Sequence, residues 1–287
     1  MTGAVQQWLV GLPTFAAILA VAGGLAAVAN GTLWLVGRWV PAERRRRHNE
    51  ITGMVLEASG TLYAVLLSFV AIAVWEDFKR ADAIVRSEAN LVGNLYRATI
   101  GLAPDQAEDI RHKLFVYAEI VAGDEWPGMM RGERDAAAGW QLLDRVHLAL
   151  VTMRDAAHGS AAVETEILAR LNDLYDARRD RFDAASASLP PVLWWNLIAG
   201  GVIVLGLCVM LGCESRRVHV LLTTALSASI GLVLALIVLL DAPFRGINHV
   251  SDAPFAALVR TVGAHDFPGA DLPTTPRAVP PPPHVTD

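Results

Sequence analysis

The sequence predicts an all-α integral membrane protein with four transmembrane helices and a long helical insert between the second and third. Three observations carry this. Of 287 residues, 53% are apolar and only 18% charged, where a soluble domain has about 25% charged. The excess is gathered in four blocks, each at least as long as the ~20 residues a bilayer-spanning helix needs. The stretch between the second and third block has ordinary soluble-type composition, with helical periodicity and no strand-like alternation.

The first block, Trp8 to Val40, contains no acid, and its one base, Arg38, lies near its end. It is too long for a signal-peptide core and no basic segment precedes it, so a retained span over about 9–36 is expected. The second span is expected at 51–75 and contains Glu57, the one acid within a predicted span. A charge at that depth is costly and marks a candidate functional site, unless the span starts later and leaves Glu57 at headgroup level beside Arg44 to Arg47. The third and fourth spans are expected at 191–212 and 218–240.

No Gly or Pro stops the second span at Trp75. Phe78, Ala81, Val85, Ala89, Val92 and Tyr96 continue at helical spacing, so the span should leave the bilayer as one long helix ending near Gly101. Pro104 with Asp105, Glu108 and Asp109 opens another helix, since Pro suits the first turn and acids suit the positive end of the helix dipole. DEWPGMMRGER is expected to be a loop by its Pro and two Gly. Helices over about 134–155 and 160–187 follow, until LPP at 189–191 breaks the chain. Arg178, Arg179 and Arg181 alternate with Asp176, Asp180 and Asp183, a pattern that reads as a solvated, ion-paired face. The expected organisation is therefore spans one and two in 1–75, an extramembrane helical bundle in 76–189, and spans three and four in 190–240. An interfacial segment with a short amphipathic helix occupies 241–267. A Pro-rich disordered tail takes up 268–287, where seven of the fifteen prolines fall.

Asp-Ala-Pro-Phe occurs twice, at 241–244 and 252–255. The first copy ends span four, because Pro243 removes a donor and clashes with the preceding turn. The second starts a helix, with Ser251 or Asp252 as cap and Pro254 in the first turn. The apolar side of that helix (Phe255, Leu258, Val259, Val262) suits either the membrane surface or the insert.

Charge gives an orientation. The short loops carry Arg44, Arg45, Arg46 and Arg47, and Arg216 and Arg217, while residues 76–183 hold 14 Lys/Arg against 20 Asp/Glu. Counting bases in short loops places those loops in the cytoplasm of a bacterial plasma membrane and the insert outside, with the opposite orientation as the alternative. Net charge of −5 offers no basic surface for nucleic acid. The eight histidines are scattered and the two cysteines, Cys208 and Cys213, form no ligand pair. No cofactor and no metal are expected. No nucleophile–base pair, phosphate loop or dinucleotide motif is present, so an enzyme is not expected.

Several stretches together carry a resemblance: LYAVLLSFVAIAVWEDF (62–78), ADAIVRSEANLVGNLYR (81–97), EWPGM (125–129), SLPPVLW (188–194) and LLDAPFRG (239–246). Within them stand Trp75, Glu125, Trp126, Pro127, Asp241, Pro243, Phe244 and Gly246. The pattern resembles the bestrophin-like membrane proteins, the group filed as domain of unknown function 4239, distantly related to bestrophin anion channels. The resemblance covers roughly 50–260. It implies an oligomer, a pentamer by analogy, with small anions as partners beside membrane lipid. It also implies a path lined by the second span, for which Leu62, Leu66 and Val70, or Val65 and Phe69, offer apolar stripes. The chain departs from bacterial bestrophins after Phe69, where Val70 to Ala73 replace their Arg and Asn. Bestrophins also keep the insert in the cytoplasm, opposite to the arginine count. The alternative is a non-conducting membrane scaffold or sensor whose helical insert binds a partner.

Overall fold

The computed structural model describes residues 8–133, 136–156 and 161–266. Among these residues every regular element is helical. The helices are α1 (Thr14–Trp39), α2 (Ala42–Arg46), α3 (Asn49–Ala98), α4 (Pro104–Ile120), α5 (Trp126–Arg131), α6 (Ala137–Ala156), α7 (Ala161–Ser186), α8 (Pro191–Met210), α9 (Arg216–Leu240) and α10 (Ala253–Asp266). Four stretches are long and apolar enough to cross a membrane: Thr14–Trp39, Asn49–Gly101, Val163–Met210 and Arg216–Leu240. Each overlaps one of the four apolar blocks of the sequence, and the second and third extend well beyond theirs. The Pro-rich tail from 268 lies outside the described residues.

α3 runs for 50 residues without interruption. It contains no proline, and its last turn tightens into a 3₁₀ turn at Thr99–Gly101 before Pro104 opens α4. Pro190 and Pro191 start α8, and Asp241 closes α9.

The described residues fall into two compact units, one drawn from 8–87, 127–133 and 176–251, the other from 88–126, 136–156, 161–175 and 252–266. In the first, α1 lies along α9. Gly231 lets the backbones meet: a Cβ there would sit 2.6 Å from Ala22 Cα. Ser227 and Gly231 are buried, so this small-residue face of α9 is spent within the protomer. Asn30 bonds within its own helix and across to the next: its Nδ2 donates to Ala26 O at 2.8 Å and to Thr224 Oγ1 on α9 at 2.9 Å. The core joins Ala29, Tyr63, Leu67, Val70, Val74, Leu197, Val204, Ile230 and Ile237.

In the second unit α4 packs on α6 and α10. Tyr117 donates to Glu88 Oε1 at 2.6 Å, both groups buried. The Trp126 ring lies 6.4 Å from Phe255, and both are buried. Phe255 on the apolar side of α10 is thus turned to the insert helices.

Two expectations for the insert are corrected. DEWPGMMRGER is mostly helical: a wide π-type turn over Val121–Glu125 feeds directly into α5. Pro127 follows this wide turn directly, and the extra residue in the turn accommodates a ring that has no N–H to donate inside a continuing helix. α5 ends at a turn on Gly132, whose φ of 81° suits glycine. Arg178 and Arg181 are not on a solvated face. Both are fully buried, with guanidinium carbons 5.1 and 4.8 Å from the Phe182 ring centroid, and Arg181 Nη1 reaches Met129 Sδ at 3.0 Å. Stacking on an aromatic face offsets part of the cost of burying a guanidinium. Arg179 behaves as expected, exposed and ion-paired to Asp176 at 2.5 Å.

Candidate conduction face on the second membrane helix

The membrane half of α3 has two unlike sides, because residues three and four apart share a helix face. Tyr63, Leu67, Val70 and Val74 form the packed side, buried against α8 and α9. Tyr63 anchors it. Its hydroxyl donates to Leu197 O at 2.9 Å, and its ring lies so close to α8 that a Cβ on Gly200 would meet Tyr63 Cδ2 at 2.4 Å. The Gly200–Gly201 pair in span three therefore makes room for an aromatic ring.

On the opposite side Leu62, Val65, Phe69 and Ile72 form an exposed apolar row, with Leu62 at 74% and Phe69 at 68% of full exposure. The structure brings Leu62 and Phe69 onto this row, holds Leu66 half-buried against the core, and buries Val70 at 4%. Val65 joins the exposed row. Beside it run Glu57, Thr61 and Ser68, also exposed. The hydroxyls of Thr61 and Ser68 donate to Glu57 O and Ala64 O, each at 2.8 Å. That leaves the Glu57 carboxylate as the one charge on this side of the span. At the membrane exit Trp75 stacks on Phe78 at 6.5 Å.

The two ends of the span differ. At the start of α3, Arg45 Nη1 donates to Val209 O at 2.8 Å and Leu211 O at 3.3 Å, capping carbonyls that α8 leaves unpaired. Arg46 pairs with Glu214 at 3.2 Å. Arg44, Arg47, Arg216 and Arg217 are exposed. Where the span ends, a cleft of about 520 Å³ is lined by Val74, Asp77, Arg80, Asp180, Asp183, Leu240, Asp241 and Pro243. Arg80 lies 3.5 Å from Asp77. Here the quoted motifs meet: the buried Asp241 Oδ1 accepts from the Leu189 N–H at 2.6 Å, so DAPF holds the turn that begins SLPP. Gly246, with φ of 72°, passes so close to Val10 that a Cβ would lie 2.1 Å from Val10 Cγ1. Arg245 lies against Gly132, where a Cβ would come within 3.3 Å of its Cζ. Phe244 is buried. Glu125, Trp126 and Pro127 stand at the junction of the wide turn and α5, with Glu125 and Trp126 buried.

Sequence reasoning missed Tyr63, Asn49 and Gly212. Asn49 Nδ2 donates to Gly212 O and its Oδ1 accepts from Gly212 N–H, each at 2.8 Å. These contacts join residues more than 130 positions apart, so no local sequence signal marked them. Among the described residues no cluster of His, Cys, Asp and Glu is arranged to hold a metal.

The sequence profile of the Bestrophin-like domain matches residues 23–255. Among solved structures the chain is similar to single-residue variants of a bacterial bestrophin homologue from Klebsiella pneumoniae. One has a TM-score of 0.69 at 14% identity, covering 88% of this chain and 98% of that one. Two more have TM-scores of 0.67, at 13% and 12% identity, each covering 86% of this chain and 98% of the other. No curated protein matches.

Proposed function

Because the chain belongs to the Bestrophin-like domain family and is an integral membrane protein, we propose that it assembles into an oligomeric bestrophin-type channel for small anions, with the path lined by α3. The observation that carries this is the two-sided α3. One edge is spent on the protomer's own core, and the other presents an apolar row of Leu62, Val65, Phe69 and Ile72 that is exposed among the described residues. Arranged around a common axis, Leu62, Val65 and Phe69 form a hydrophobic constriction of the kind that gates by excluding water. The pentamer follows from the resemblance to bestrophins. The arginine-rich short loops place that end in the cytoplasm of a bacterial plasma membrane by the positive-inside count. An alkaline-phosphatase fusion within the insert is active in a bacterial host for this orientation, and an inactive one reverses it.

The test is chloride efflux from liposomes carrying the purified full chain, with oligomeric state measured beforehand by native mass measurement in detergent. The expected result is an oligomer that conducts, with flux raised by Phe69→Ala or Leu62→Ala. Tight vesicles containing a folded oligomer overturn conduction, and then co-purification of a discrete partner favours the scaffold reading. A monomer overturns both the assembly and the shared path.

A further inference from the structure

The arginines of the short-loop end divide into two groups. Arg45 and Arg46 are spent on the fold: one caps the carbonyls of Val209 and Leu211, the other pairs with Glu214. Arg44, Arg47, Arg216 and Arg217 are exposed and make no side-chain hydrogen bond or ion pair among the described residues. Of the acids at this end, Glu214 is taken by Arg46, and Glu43 and Glu50 stand in the first turns of α2 and α3. The free guanidinium groups adjoin an aromatic and apolar step. Trp39 is 78% exposed, and the first turns of α9 expose Val218, Leu221 and Leu222. Exposed Trp beside free Arg is the signature of the headgroup level of a bilayer, where the ring sits at the water boundary and the guanidinium meets phosphate.

Orientation alone needs these charges only while the chain inserts. In the folded protein they remain unneutralised over an apolar ledge. We infer that this rim is a binding site for anionic phospholipid, with the headgroup phosphate held by the four free arginines and the acyl chains lying along the exposed steps of α1 and α9. A guanidinium fork matches phosphate oxygens two at a time. The ledge selects a lipid over a free anion, because a free phosphate has nothing to place there. The inference is independent of whether the chain conducts.

The experiment is native mass spectrometry of the purified full chain equilibrated with mixed micelles of phosphatidylglycerol and phosphatidylcholine. The expected result is selective retention of phosphatidylglycerol. Arg44→Gln, Arg47→Gln, Arg216→Gln and Arg217→Gln together reduce that selectivity at least tenfold, a lower bound from about fivefold per surface arginine. Lys79→Gln with Arg86→Gln, away from the rim, leaves it unchanged. If the fourfold variant does not fold, Arg216→Gln/Arg217→Gln and Arg44→Gln/Arg47→Gln are read separately, each with a smaller loss of selectivity. Equal retention of the two lipids by the native chain overturns the site, as does full selectivity in the variants. Displacement of bound phosphatidylglycerol by equimolar inorganic phosphate overturns the lipid as its occupant.

Discussion

The Asn49 carboxamide grips Gly212 from both sides, donating to its carbonyl and accepting from its N–H at 2.8 Å each. One side chain at the start of α3 thereby satisfies the backbone that leaves α8, across 163 residues of sequence. Gly212 itself is buried, so losing the clamp strands a buried donor and acceptor together. Asn49→Ala is expected to cost about 1–3 kcal/mol, measured as a shift in thermal unfolding in detergent. Gly212→Ala is expected to cost at least as much, because a Cβ there would lie 2.6 Å from Arg46 N and 2.7 Å from Ala42 O, and backbone atoms cannot step aside. Unchanged unfolding in Asn49→Ala would mean that the clamp is replaced by water.

Asp241 and Leu189 give a second prediction. The carboxylate is buried and accepts from an N–H that the following two prolines leave outside any helix. Asp241→Asn keeps an acceptor of the same shape and should cost less than Asp241→Ala, which is expected to lose about 1–3 kcal/mol. An equal loss in both variants would show that the charge, rather than this hydrogen bond, holds the turn.

Tyr63 and Gly200 should be coupled. Gly200→Ala drives a methyl into the Tyr63 ring, an overpacking that costs about 1–3 kcal/mol. Tyr63→Ala leaves a cavity and is destabilising alone. The double variant should be more stable than the sum of the two losses implies, since the removed ring leaves room for the added methyl. Strict additivity in a double-mutant cycle would place the two groups apart.

Around Gly132 a two-pronged pair joins Arg131 to Glu133, Nε to Oε1 and Nη2 to Oε2, both at 2.8 Å. The hydrogen bonds from Arg131 hold the Glu133 carboxyl below its ordinary value. A lowered folded pKa contributes stability that is whole above the unfolded value and fades as pH falls through the lower folded one. The pair is exposed, so its share of stability is small, and titration is the sharper measurement. In Arg131→Gln the Glu133 carboxyl should titrate higher than in the native chain. Gly132→Ala should destabilise the same turn independently of pH, because it forces a side chain onto φ of 81°.

Much of this architecture was legible because it is local. Unbroken apolar blocks mark spans, and the uninterrupted stripe from Phe78 to Tyr96 marks the continuation of α3. Pro104, Pro191 and Pro243 act on their own neighbours. The rest depends on residues far apart in sequence. Nothing beside Tyr63 announces that Gly200 will receive its ring, and nothing beside Asn49 announces Gly212. Arg178 and Arg181 read as surface because their neighbours alternate in sign, while the aromatic face of Phe182 that helps bury them carries no charge pattern. The wide turn over Val121–Glu125 accommodates Gly123 and Pro127 by inserting an extra residue in the turn, which periodicity counts as a break. On the candidate face, spacing offered two stripes of the same helix. Only packing separates Val70, turned inward, from Leu62 and Phe69, turned out.

With 50 residues and no proline, α3 is a single shaft about 75 Å long. It has no built-in swivel where it leaves the bilayer, since neither a kinking proline nor a π-type turn falls within it. The row that holds Leu62 and Phe69 and the stripe from Phe78 to Tyr96 are therefore carried on one unbroken ladder of backbone hydrogen bonds.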